Sequence, residues 1–443
     1  MKRIILLFVL LGMAASQENR LTLADCVETA FKNSVELKIS EENLKQAGLN
    51  KIINFAPFYP AVNLSISDKL LGFDDNGLDI PFLTVNPDTY SASLSVSYNI
   101  YNMYKDFDQY RYSERKYEES ELAVTIKKQE LAYSVIVSYY EVLASEKNLQ
   151  IRSQALEQKK EYLKLAESLY KAGIKAKSDY LNALIQIKKS EILLRDAETS
   201  LKISKAGLNT LLGTAPDKEL VLAEDNVYGE YAAEVHNPPV DTYDKLLKML
   251  FESNFEWRKL KLQCDYTFIL TALSERALWP SLSIDGSYSL SLDSYARSSS
   301  EWTNNGRLDQ NSTWGISMSL SYPLFDGEAN YSRYKSSKAA LDIAGLNIEK
   351  LKRELLEEIY SAFLNVNRIY GELELFKIQV ELAKENLELI KNRYQSGISS
   401  FLDLIDAELN YTAAEIGYYQ AIYDYKKQEY SIEKQCGVKL FWK

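Results

Sequence analysis

The chain repeats itself, and the repeat limits its possible folds more than any other feature. Phe58-Tyr59-Pro60 matches Leu278-Trp279-Pro280 at a spacing of 220 residues, and at that spacing Asn33-Ser34-Val35-Glu36 falls on Ser253-Asn254-Phe255-Glu256. Further on, Ser95-Val96-Ser97-Tyr98 matches Ser319-Leu320-Ser321-Tyr322 at a spacing of 224. That second spacing persists: Tyr170 falls on Tyr394, Gly173 on Gly397, Ile174 on Ile398, Asp179 on Asp403 and Ala183 on Ala407. The change of spacing sits in a loop, where insertions cost little closure entropy. A unit of this length is a duplicated half, not a short solenoid repeat.

Each half holds two segments of strict alternation, over about 61–67 and 92–101, then about 281–291 and 314–325. Ile316, Met318, Leu320, Tyr322 and Leu324 alternate with Ser317, Ser319, Ser321 and Pro323. Side chains of a strand alternate between its faces, so one face is apolar and the other nearly all serine. A soluble sandwich also alternates. Four strands with small polar residues on one side fit a membrane barrel with a wet lumen, because the rest of the chain offers them little else to pack on.

That rest is helical. From Met103 to about Lys171 there is no proline, which at 1.5 Å per residue makes a rod of roughly 100 Å. A return helix over about Ser178–Leu212 stops at Gly213-Thr214-Ala215-Pro216. In the first half a helix over Leu21–Phe58, broken at Asn33-Ser34, precedes the strands. The second half repeats the plan at about Thr242–Leu278, Glu328–Gln395 and Phe401–Gln435. Ile359, Phe363, Val366, Tyr370, Leu373, Phe376, Val380, Ala383, Leu387, Ile390 and Tyr394 form a heptad seam with one slip. Such a rod needs antiparallel partners, and two short helices stacked end to end match its length. The expected organisation is a first repeat over 17–223 with its tip at about 171–178, a linker over 224–241, a second repeat over 242–436 with its tip at about 395–401, and a tail over 437–443. The fold class is thus mixed: a membrane β-barrel to which each chain gives four strands, plus a long antiparallel coiled coil. The smallest such barrels have about eight strands, so either several copies share one barrel or the four strands form an open sheet, and a cyclic homo-oligomer is the natural solution. Two copies give eight strands and three give twelve.

Met1-Lys2-Arg3, the apolar run Ile4–Leu11 and the small residues up to Ser16 read as a signal peptide over 1–16. No later run of about 20 apolar residues could span a membrane as a helix. Cys26, Cys264 and Cys436 are too few for a disulfide framework. A net charge of −10 argues against nucleic acid as a partner. The one histidine, His236, lies in the Pro-rich linker, which excludes His-based triads and His-rich metal sites. No phosphate loop is present. The chain reads as no enzyme, with no cofactor and no metal.

The tip motifs are Tyr170-Lys171-Ala172-Gly173-Ile174, continuing to Asp179 and Ala183, and Tyr394-Gln395-Ser396-Gly397-Ile398-Ser399, continuing to Asp403, Asp406 and Ala407. With the duplicated half and its paired strands, they resemble the TolC-like outer-membrane efflux protein family over essentially the whole mature chain. The resemblance implies a homotrimer with a twelve-stranded barrel in outer-membrane lipid and a helical tunnel in the periplasm. It implies docking at the tips, around Gly173, Ile174, Asp179, Gly397, Ile398 and Ser399, with a periplasmic adaptor (a membrane fusion protein) joined to an inner-membrane pump. It also implies a pore gate at Tyr394, Asp403 and Asp406. Ser399 stands where a better-known member carries a gate arginine.

The residues themselves agree on the tips. Gly173 and Gly397 suit helix reversals. Ser178 or Asp179, and Ser399 or Ser400, can cap the return helices. Asp403 and Asp406, three apart, share a helix face, and rings of carboxylates select cations; a helix-stabilising role for Asp403 is the alternative. The expected function is a passive exit duct of a tripartite efflux or type I secretion system, gated at its periplasmic tip. The alternative is a non-conducting structural coiled coil at the surface or in the periplasm.

Overall fold

The computed structural model describes residues 20–69, 72–73, 85–86, 89–223, 243–294 and 308–441. The signal peptide, the linker with His236, the last two residues of the tail and most of both strand-connecting loops lie outside them. The elements are α1 (Leu23–Asn33), α2 (Val35–Phe55), β1 (Ala61–Lys69), the two-residue β2 (Gly72–Phe73) and β3 (Val85–Asn86), β4 (Thr89–Tyr101), α3 (Lys105–Lys171), α4 (Lys177–Leu211), α5 (Tyr243–Ser253), α6 (Phe255–Arg276), β5 (Ser281–Ser294), β6 (Leu308–Ser321), α7 (Ala329–Gln395) and α8 (Phe401–Gln435). Two compact units divide them: a sheet unit over Glu42–Glu121 and Lys259–Glu349, and a helical unit made of the remainder. No helix among the described residues is long and apolar enough to cross a membrane.

In the sheet unit, β1, β4, β5 and β6 form one antiparallel sheet in that order. Its register lines up rows of like chemistry. Ser65, Ser93, Ser289 and Thr313 form one row across the four strands, and Ala61, Ser97, Asp285 and Ser317 another. On the opposite face Leu64, Leu94, Tyr288 and Trp314 form a row, as do Val62, Val96, Gly286 and Ile316. Along β4 the apolar residues Leu94, Val96, Tyr98 and Ile100 are exposed, while Ser91, Ser93, Ser95 and Ser97 are half-buried. Ordinary burial runs the other way. The sheet is open, with β1 and β6 as edges. β6 starts earlier than its alternation and stops at Ser321, ahead of Pro323, which has no N–H to give to a ladder.

Both turns from strand to long helix use left-handed backbone. Met103 and Tyr104 have φ of 54° and 64°, and their counterparts Gly327 and Glu328 have 67° and 66°. Non-glycine residues adopt this conformation only at a cost. Arg276 holds the first turn: its Nη1 donates to the Met103 carbonyl at 2.9 Å, and its Nε lies 2.8 Å from Oδ2 of buried Asp108. The Nε–H is out of line for a hydrogen bond to that oxygen, so the contact is an ion pair.

In the helical unit, α1 begins with a reciprocal Thr22–Asp25 cap and buries Leu23, Cys26, Val27 and Ala30 against Val135, Ile136, Tyr139 and Val142 of α3 and Leu208 of α4. Burial pushes the Cys26 thiol up to about 12, so it packs as a small hydrophobe. The break between α1 and α2 is capped by Ser34, and Asn33 beside it donates to the Leu212 carbonyl at 2.8 Å. Asn254 does both jobs in the second repeat, capping α6 through the Trp257 amide and donating to the Gln435 carbonyl at 2.7 Å. Each return helix therefore meets the joint of the preceding helix pair end to end. The seam of α7 runs through Leu355, Ile359, Ala362, Val366 and Ile369, which are buried, and on to Leu387 and Tyr394. It has no slip: the small Ala362 and the aliphatic Ile369 take the inward places, and Phe363 and Tyr370 flank them half-buried.

Candidate functional site

Both long helices end in the same reversal. After α3, Gly173 has φ of 74°, the Ile174 amide donates to the Leu169 carbonyl and the Gly173 amide to the Tyr170 carbonyl, each at 2.9 Å. After α7, Gly397 has φ of 77°, with the Ile398 amide on the Arg393 carbonyl and the Gly397 amide on the Tyr394 carbonyl, again at 2.9 Å. This is the six-to-one closure that a left-handed residue after a helix permits, and glycine takes that conformation without strain.

The return helices start differently. Ser400 caps α8: its Oγ accepts the Asp403 amide at 3.1 Å, and Asp403 Oδ2 accepts the Ser400 amide at 2.8 Å. In the first repeat, however, α4 has Ala176 at its cap with no side-chain bond. The expected caps Ser178 and Asp179 fall inside the first turn, because the helix starts at Lys177. Asp179 there complements the positive end of the helix.

The two tips share a core of Tyr162, Ala166 and Leu169 from α3, Ala183 from α4, Leu387 and Tyr394 from α7, and Phe401, Leu404, Ile405 and Ala407 from α8. Tyr394 is fully enclosed, edge-on to Phe401, and its hydroxyl has no hydrogen-bond partner among the described residues. Burial, with Asp179 nearby, pushes its phenol up to about 12. Asp403 and Asp406 are both exposed on α8. The Ser400 amide and hydroxyl, aided by the charges of Arg393 and Lys175, hold the Asp403 carboxyl below its ordinary value. Ser399 is buried, whereas Ile174 and Ile398 are exposed at the extremity. The structure thus brings Tyr394, Ser399, Gly397, Ile174 and Asp179 close together, and leaves Asp406 on the open side of α8.

Two features here have no counterpart in the sequence reading. Lys175 reaches across from the first tip, donating to the Gly397 carbonyl at 3.2 Å and the Ser399 carbonyl at 2.7 Å, with its nitrogen 5.4 Å from the centre of the Tyr394 ring. Deeper in, Lys159 of α3 lies 3.2 Å from Glu408 Oε2 of α8, with both side chains at least 95% buried. The ammonium approaches off the line of a hydrogen bond to that oxygen and donates instead to Ser190 Oγ of α4 at 3.0 Å, while Thr412 donates to Glu408 Oε1 at 3.2 Å. The signal for Glu408 was present: it continues the inward stripe of Phe401, Leu404, Ile405 and Thr412. Lys175 could have been found as the repeat counterpart of Ser399.

The model of a family described as outer membrane efflux protein matches residues 26–214 and 246–438. The two segments begin 220 residues apart and end 224 apart, the spacings of the internal repeat. The chain is 23% identical over 383 residues to the outer membrane protein TolC of Vibrio cholerae, covering 85% of this chain and 82% of that protein. Among solved structures, the outer-membrane channel OprN matches with a TM-score of 0.78 at 19% identity, covering 95% of this chain and 91% of that one. The transmembrane channel CusC matches with a TM-score of 0.79 at 15% identity, covering 94% and 92%.

Proposed function

The chain belongs to the outer membrane efflux protein family, and from that premise we propose that it is the exit duct of a tripartite export machine, a passive homotrimeric channel closed at its periplasmic tips. As a member of that family it is an outer-membrane channel protein and not an enzyme. The observation that carries the finer reading is the sheet: serine rows on one face, aliphatic and aromatic rows on the other, and two unpaired edges. An even number of antiparallel strands leaves β1 and β6 running in opposite senses, so β6 of one copy can pair antiparallel with β1 of the next. Three copies close twelve strands, with serine facing water and Leu64, Leu94, Tyr288 and Trp314 facing lipid. The helices also need copies around them. Leu375, Ile378, Leu382 and Leu389 make a second apolar stripe on α7, exposed in the single chain.

At the tips, Asp406 and Asp403 of three copies would form acidic rings at the constriction. Asp406 is the freer of the two, because Asp403 is engaged in its cap. Tyr394 serves the gate by packing rather than by lining a pore. Ile174 and Ile398, presented by the turns at Gly173 and Gly397 with Asp179 beside them, form the surface for a periplasmic adaptor, itself joined to an inner-membrane pump that supplies the energy. Ser399 contributes its carbonyl to the tip rather than a side chain to the surface. Planar-bilayer recording tests the reading. Asp406→Ala should conduct more than the parent protein, and a purified protein that conducts in no form and under no condition refutes the duct.

A further inference from the structure

We propose that Lys175 is the residue that locks the two tips of one subunit together and thereby sets the resting conductance; the proposal rests on the duct reading above. The argument begins with what the second tip lacks. A helix ends with carbonyls that have no amide to accept from, and with the negative end of its dipole. The Gly397 and Ser399 carbonyls lie just beyond α7, and the ammonium of Lys175 takes both. The same ammonium lies over the face of the enclosed Tyr394, whose ring carries negative charge density toward it. One cation from the first repeat thus satisfies three features of the second.

The link runs one way. Lys175 and Ser399 are counterparts at the repeat spacing of 224, but a serine is too short to return the contact to the first tip. Each subunit therefore has one such bolt. Beside it the tips touch through apolar atoms: a Cβ on Gly397 would lie 3.4 Å from Ile174 Cγ2. The bolt bears on the pore through packing. Tyr394 rests on Phe401, the first residue of α8, and α8 carries Asp403 and Asp406. Separating the tips requires Lys175 to release both carbonyls, and its release frees the start of α8 to move. Lys175 is a positioning residue, since it acts through the backbone of the second tip.

The test is bilayer conductance of the assembled protein. Lys175→Met keeps the aliphatic length and removes the charge; the open fraction should rise about tenfold, as loss of charge-assisted bonds predicts. Lys175→Arg should keep the parent conductance. Lys175→Cys should be open, close again when 2-aminoethyl methanethiosulfonate restores an ammonium, and stay open with a neutral reagent of equal size, the parent protein being unaffected by either. Parental conductance in Lys175→Met, alongside a raised conductance in Asp406→Ala, overturns the proposal and leaves the duct intact. A protein silent in every form overturns both. Failure of Lys175→Met and Lys175→Cys to assemble at all would make Lys175 a folding residue and also overturns the proposal.

Discussion

Removing one member of the buried Lys159–Glu408 pair should be far worse than removing both. At 3.2 Å and an effective dielectric of about 20, the attraction is about 5 kcal/mol. Stripping water from each ion costs several kcal/mol, so the pair as a whole contributes little. Lys159→Met leaves a carboxylate with no compensating charge in a site where its side chain is fully enclosed, and the expected cost is about 3–5 kcal/mol. Glu408→Leu strands the ammonium, which keeps its bond to Ser190, and should cost a similar amount. The double variant fills the site with apolar atoms. Its hydroxyl neighbours Ser190 and Thr412 can turn to carbonyls of their own helices. It should return to within about 1 kcal/mol of the parent.

The assay is thermal unfolding of detergent-solubilised protein followed by circular dichroism. For a chain of 443 residues, unfolding entropy near 2.1 cal/mol/K per residue makes a 4 kcal/mol loss a shift of about 4 °C in midpoint. Both single variants should lie that far below the parent, and the double should lie beside it. A double variant whose shift equals the sum of the singles refutes the reasoning, because it would mean the two charges are solvated independently.

Three further outcomes follow from the geometry. Tyr394→Phe removes a buried hydroxyl that has no partner among the described residues, so stability should be unchanged or up by about 1 kcal/mol with resting conductance intact; a leaky variant would mean the hydroxyl is bonded in the assembly. Because burial raises this phenol from 10.0 to about 12, the unfolded chain ionises first, so the folded state is unaffected below pH 10 and loses stability as pH climbs toward 12, and the Phe variant should lack that part of the alkaline slope. Gly437→Ala should lower the unfolding midpoint more than its repeat counterpart Gly213→Ala: the new Cβ would lie 2.1 Å from the Ser253 carbonyl oxygen in the first case and 2.8 Å from the Asn33 Cβ in the second. Leu320→Asp on the apolar face should cost roughly 2–4 kcal/mol at most near the bilayer midplane, acids costing less than Arg or Lys, and unchanged insertion in an outer-membrane assembly assay would mean the two faces are reversed.

What the sequence disclosed tracks the length scale of each signal. Period-two alternation and a proline-free stretch are averaged over many residues, so the strands and rods were legible, and α8 was placed at Phe401–Gln435 to the residue. Positions decided by one competing neighbour were not. The seam of α7 looked interrupted because Phe363 and Tyr370 are the larger apolar residues. The core instead admits Ala362 and Ile369, since inward places of a close-packed pair are set by volume as much as by hydrophobicity. Ser178 looked like a cap by type, yet the turn after Gly173 delivered Ala176 to that place.

The polar core of the helical unit was missed for a deeper reason. Lys and Glu on a helix are almost always solvated, so Lys159 and Glu408 read as surface when each is taken alone. Their meaning lies in the pairing of α3 with α8, helices from different halves of the duplicated chain. The same holds for Lys175, which sits among Lys171 and Lys177 and looks like part of a solvated run until the second tip is brought against it. A duplicated chain begins with two identical tips, and identical tips have no reason to bind each other asymmetrically. Once position 175 is lysine and position 399 serine, one half supplies the cation and the other the carbonyls. The contact then specifies which tip meets which, as the Lys159–Glu408 pair does for the helices behind them. Exchanging the residues as Lys175→Ser/Ser399→Lys tests this. If the bond depends only on a cation opposite helix-end carbonyls, the exchanged protein should regain much of the closure that Lys175→Ser alone loses. Conductance equal to that of the single variant would mean that the enclosure around Ser399, not the charge, decides which half carries the lysine.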